Sequence, residues 1–115
     1  MLRRVLLLLV GVAAPALAGA GWQPDQFLIS AWGAPEDDAA ARLYVAAGIN
    51  TVMAKQAQLD LCRRHGLRVL VMDATPEQVP ALLAAHRHTI WGWYVKDEPP
   101  AAEFATVGET VARFH

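Results

Sequence analysis

The chain has 115 residues, 55% of them hydrophobic, and a formal net charge of −1. That composition suits one small globular domain and excludes an intrinsically disordered chain. Without a basic excess, there is no electrostatic reason to expect nucleic acid as a partner.

The hydrophobicity is concentrated at the start. Arg3 and Arg4 precede an apolar run from Val5 through Ala14; Pro15 and small residues in A-x-A order follow, as Ala16-Leu17-Ala18 or Ala18-Gly19-Ala20. This succession is that of a cleavable signal peptide over residues 1–20, cut near Ala18 or Ala20, which makes 21–115 an exported domain, secreted or periplasmic. A spanning helix needs about 20 consecutive apolar residues, so no stable membrane anchor is expected. No cysteine follows the cleavage site to carry a lipid. Loss of Arg3 and Arg4 leaves eight basic against eleven acidic residues, a net charge near −3. Cys62 is the single cysteine, so no internal disulfide can form, and its apolar neighbours Leu59 and Leu61 suit a small buried residue better than a nucleophile.

From Phe27 a strand and a helix alternate four times. Phe27 to Trp32 reads as a short buried strand ending at Gly33. The acidic run Glu36-Asp37-Asp38 then opens a helix at its positive end. Ala40, Leu43, Tyr44 and Ala47 give that helix one apolar face, and Gly48 ends it. Ile49 to Ala54 is the second strand, and a helix from about Gln56 carries Arg63, Arg64 and His65 in its last turn. Arg68 to Met72 is the third strand. Thr75-Pro76-Glu77-Gln78 supplies an N-cap, a first-turn proline and a capping-box glutamine for a helix faced by Val79, Leu82, Leu83 and His86. The fourth strand runs from Ile90 to about Lys96, and Pro99-Pro100 lead into a helix faced by Phe104, Val107, Val111 and Phe114.

The strands are apolar throughout rather than alternating, as in a parallel sheet covered by helices. An antiparallel alternative would need hairpin turns, and no Asn-Gly or Asp-Gly pair occurs. The expected fold is α/β: repeated βα units with parallel strands, the first four units of a TIM-type barrel, which typically needs about 250 residues. A small open sheet, or a half-barrel pairing with a second copy through its exposed edges, are the alternatives.

In such folds ligands bind beyond the carboxyl ends of the strands. Trp32 stands there after strand one, Lys55 after strand two, Asp73 after strand three, and Asp97-Glu98 after strand four. Either aspartate can instead cap a neighbouring helix, a role that glutamate fills poorly. Parity along strand four puts Trp91, Trp93, Val95 and Asp97 on one face, with the tryptophans suited to the layer between sheet and helices. Gly92, Tyr94, Lys96 and Glu98 then share a face that opens toward the site, unless a β-bulge intervenes. His65, His86 and His88 sit at helix ends or at the opposite end of the strands, where C-capping is the better reading than metal ligation. With no glycine-rich phosphate loop, nucleophile elbow or CxxC, no metal or cofactor is expected.

The stretch Trp91-Gly92-Trp93-Tyr94-Val95-Lys96-Asp97-Glu98-Pro99 resembles strand four of secreted (β/α)8 glycoside hydrolases of the large retaining clan that includes β-galactosidases and cellulases. There an Asn-Glu-Pro motif ends the strand and its glutamate is the catalytic acid/base. The resemblance implies a carbohydrate substrate, Glu98 as acid/base, and Asp97 where the clan has asparagine. Asparagine can donate to a sugar hydroxyl, whereas an ionised aspartate only accepts. The resemblance also implies a second carboxylate, a glutamate ending strand seven, and none of these four strands supplies it. Asp73 is an internal alternative, since adjacent strands lie about 4.8 Å apart, and retaining hydrolysis needs carboxyls about 5–5.5 Å apart. Trp32 would stack on a sugar ring or pack in the core. The rival reading is a non-catalytic extracytoplasmic carbohydrate-binding or interaction domain on the same scaffold.

Overall fold

The computed structural model describes residues 26–115. The signal peptide expected over 1–20 lies outside the described residues. The fold is the expected α/β alternation: β1 (Ser30–Ala31), α1 (Asp38–Ala46), β2 (Thr51–Ala54), α2 (Leu59–Arg64), β3 (Arg68–Val71), α3 (Val79–His86), β4 (Ile90–Trp93) and α4 (Phe104–Ala112). A single 3₁₀ turn leads into each of α2, α3 and α4. The strands form one sheet in the order β1-β2-β3-β4, each neighbour parallel.

Local chemistry sets these boundaries. Asp37 caps α1, its carboxylate accepting from the Ala40 N–H at 2.8 Å, and Asp38 adds negative charge in the first turn. Gly48 and Gly66 end the first two helical segments with φ of 82° and 69°, a region a Cβ disfavours. Before α3 the Gln78 side chain accepts from the Thr75 N–H at 2.9 Å, as the capping-box pattern requires.

The core lies between sheet and helices. Ala31, Val52, Val69 and Ile90 stand side by side in register across the four strands. Val52, Ala54, Val69, Val71 and Ile90 are buried against Ala41, Leu59, Cys62 and Leu67. Burying one side chain such as Leu59 or Leu67 contributes about 1.5–3 kcal/mol. Cys62 is fully buried, as its neighbours suggested, and burial pushes its thiol pKa up.

Three expectations need correction. Strands one and four are shorter than the sequence suggested. In β1 the segment before Ser30 is held by both backbone and side chain: the Ile29 carbonyl accepts from the Asn50 and Thr51 N–H groups at 3.0 and 3.3 Å, while Asn50 Oδ1 accepts from the Ile29 N–H at 3.0 Å, and its Nδ2 donates to the Phe27 carbonyl at 2.7 Å. Beyond β4, only the Tyr94 N–H continues the pairing, donating to the Val71 carbonyl at 2.9 Å.

The apolar helix faces are also rotated. Leu43 and Phe104 are 71% and 61% exposed, while Ala41 and Tyr44 carry α1 onto the core. Just beyond α4, Phe114 stacks on Trp93 with centroids 5.6 Å apart.

The third correction concerns the tryptophans of β4. Val69 pairs with Ile90 but Leu70 pairs with Gly92, so Trp91 is an extra residue, a β-bulge. Trp93 packs against the core, whereas Trp91 lies under the Arg68 guanidinium, 4.7 Å from the ring centroid. Arg68 precedes the core-facing Val69 and so belongs to the opposite face. The two tryptophans therefore do not share the helix-facing layer.

Candidate functional site

The residues following the carboxyl ends of the strands fall into two groups. The first is built from β1 and β4. Ala31 packs on the core, so Trp32 falls on the other face of the sheet, 71% exposed. Tyr94 follows the core-packed Trp93 and falls on that same face. The two rings meet edge to face with centroids 6.2 Å apart. The Tyr94 hydroxyl lies near the Asp97 carboxylate. Desolvation raises the tyrosine pKa first, and the nearby carboxylates of Asp97 and Glu98 raise it further. Trp32, Tyr94, Asp97 and Glu98 thus form one aromatic and acidic cluster.

Glu98 has a backbone φ of 37°, the left-handed region. Among the described residues it is the one non-glycine in that region. The conformation costs an L-residue roughly 1–2 kcal/mol. Its side chain is exposed and makes no hydrogen bond or ion pair among the described residues. Lys96, two residues earlier, is ion-paired with Glu103 in the turn before α4. Asp97 does not cap that turn, where Pro100 holds the N-cap position.

The second group is built from β2 and β3. Asp73 accepts from the Gln56 N–H at 2.8 Å, and the Gln56 side chain returns a bond to the Asp73 carbonyl at 2.9 Å and another to Gln78 at 3.0 Å. Asp73 therefore caps the segment after β2, across the sheet, rather than the helix that follows it in sequence. Lys55 is exposed, and its N–H donates to the Gln58 side chain at 3.1 Å. Among the described residues no hydrogen bond joins the Asp73 and Glu98 carboxyls.

Of the residues singled out from sequence, Trp32, Asp97 and Glu98 come together, while Lys55 and Asp73 belong to a capping network. Tyr94 is the member that sequence reasoning placed on the right face but gave no role. The signal was its position three residues before Asp97, within reach of the same strand end. Among the described residues no three His, Cys, Asp or Glu side chains gather as a metal site, and no helix is long and apolar enough to cross a membrane. Comparison with protein-family models, with curated proteins and with solved structures returns no match.

Proposed function

We propose that the protein is an exported glycoside-hydrolase-like protein whose four βα units belong to a TIM-type barrel, with Glu98 as general acid/base on a carbohydrate substrate. The backbone of Glu98 carries the reading. A carboxylate-bearing residue in a costly left-handed conformation, exposed just beyond β4 and free of an ion pair among the described residues, suits a group aimed at a ligand better than a structural one. The neighbours fit that role. Trp32 and Tyr94 offer an aromatic surface for the apolar face of a sugar ring, and Asp97 offers an acceptor for a hydroxyl. Lys55 and Asp73 line the mouth on the β2–β3 side. The outer edges of β1 and β4, unpaired among the described residues, suit association with further strands or a second copy.

Catalysis on this reading requires a proton on Glu98 for the leaving oxygen and a second carboxylate from outside the four strands. A protein comprising only these four strands would be inactive. Glu98→Gln in the protein carrying the complete barrel should abolish turnover of a natural oligosaccharide. It should impair hydrolysis of an activated aryl glycoside far less, because that leaving group needs little protonation. Wild-type turnover by the variant on the oligosaccharide would refute the assignment.

The absence of a carboxylate bonded to Glu98 among the described residues supports a second reading, a non-catalytic carbohydrate-binding domain. Under it, the wild-type protein binds oligosaccharide without hydrolysing it, and Trp32→Ala removes the binding.

A further inference from the structure

At the opposite end of the sheet from Glu98 lies a hollow of about 580 Å³ between α2 and the connection from α3 into β4. One wall is apolar, formed by Pro80, Leu83 and Ala84. The other side carries Arg63, Arg87, His86 and His88. No carboxylate lines it. Asp60, one turn earlier on α2, engages Nε and Nη2 of Arg63 at 3.3 and 3.2 Å. His86 contributes a buried Nδ1 with no hydrogen-bond partner among the described residues. A buried ring nitrogen in that state is costly unless a further group meets it.

We propose that this hollow binds a small organic anion, a phosphate monoester with an apolar portion. The volume lies in the range of ligand pockets, which combine apolar walls with a few convergent polar groups. Two guanidiniums are matched in geometry to phosphate oxygens, and the imidazoles add N–H donors. The apolar wall requires more than a bare ion. The carbonyl end of α3 faces the same region and does nothing for an anion, so the attraction must come from Arg63, Arg87 and the histidines.

Phenyl phosphate titrated into the ¹⁵N-labelled intact protein tests this, with phenol and inorganic phosphate as separate probes. The expected result is movement of the amide signals of Arg63 and of residues 83–89, with phenyl phosphate binding at least tenfold tighter than either fragment. Affinity should fall several-fold when salt is raised from 0.05 to 0.5 M, because the attraction is ionic. The double variant Arg63→Ala/Arg87→Ala should weaken binding tenfold or more. Should that variant fold poorly, Arg87→Gln alone and the wild-type salt series carry the test. Equal affinity for phenol, indifference to salt, or unmoved signals in this segment would overturn the proposal.

Discussion

The ring of Trp32 meets the ring of Tyr94 edge to face at 6.2 Å, although the two follow the outermost strands of a four-stranded sheet. Three strand spacings separate β1 from β4, about 14 Å at the usual distance, so the side chains reach toward one another over the ends of β2 and β3. Edge-to-face pairs contribute about 0.5–1.5 kcal/mol, and the exposure of Trp32 puts this one at the lower end. Trp32→Ala should shift the Tyr94 ring resonances and lower stability by less than about 1 kcal/mol, whereas Trp32→Phe should preserve the contact. Unchanged Tyr94 signals in the alanine variant would mean that the rings do not meet in solution.

Asp73 ties two βα units together through Gln56. Replacing a capping aspartate with alanine costs about 0.5–2 kcal/mol. Asp73→Ala should fall in that range by denaturant unfolding, and Asp73→Asn should lose less because the amide oxygen still accepts. A neutral effect of Asp73→Ala would show that the Gln56 N–H is satisfied in another way.

The left-handed backbone of Glu98 gives a test independent of activity. Glycine adopts that conformation freely, whereas any Cβ is penalised. Glu98→Gly should therefore be about 1 kcal/mol more stable than Glu98→Ala, against the usual advantage of alanine over glycine. The reverse order would place the φ of this residue in an ordinary region.

Asp38 links α1 to the end of α2. Its carboxylate lies 2.6 Å from His65 Nε2 and 3.3 Å from Arg64, and the His65 hydrogen bond, with Arg64 beside it, lowers its pKa below the ordinary 3.8. A depressed carboxyl stabilises the fold above its unfolded value, and that contribution is lost as pH falls through the lower folded value. Wild type should thus be more stable than Asp38→Asn at pH 6, and the gap should close below about pH 3.8. A gap constant from pH 6 to pH 2 would disconnect Asp38 from acid unfolding.

Much of this architecture could be read from residue order. Thr75, Pro76 and Gln78 announced their helix because capping is local chemistry, and the unbroken apolar strands announced a parallel sheet. The boundaries of β1 were less legible, because Asn50 completes the pairing of Phe27 and Ile29 through a side-chain amide that no periodicity reveals. Exposure of Leu43 was hidden for a related reason. A helical repeat identifies an apolar stripe, but the angle at which the helix meets the sheet decides which edge of the stripe is covered. At the site, strand-end position was enough to single out Trp32, Asp97 and Glu98. The reach of Asp73 across to Gln56 was not visible, since it depends on the separation of two loops in space.

Trp91 leaves β4 one residue longer than the stretch of β3 it accompanies. The bulge absorbs that residue, so that Gly92 and Trp93 still meet Leu70 and Val71 in step. A substitution at Trp91 removes its contact with the Arg68 guanidinium. Removing the residue outright would let Gly92 follow Ile90 directly, still opposite Leu70 and with Trp93 still opposite Val71, so the faces after it would be kept and the bulge alone lost. An extra residue placed after Gly92 would instead exchange inside for outside, turning Trp93 away from the core. The spare slot lets β4 shorten by one residue without turning its later side chains over.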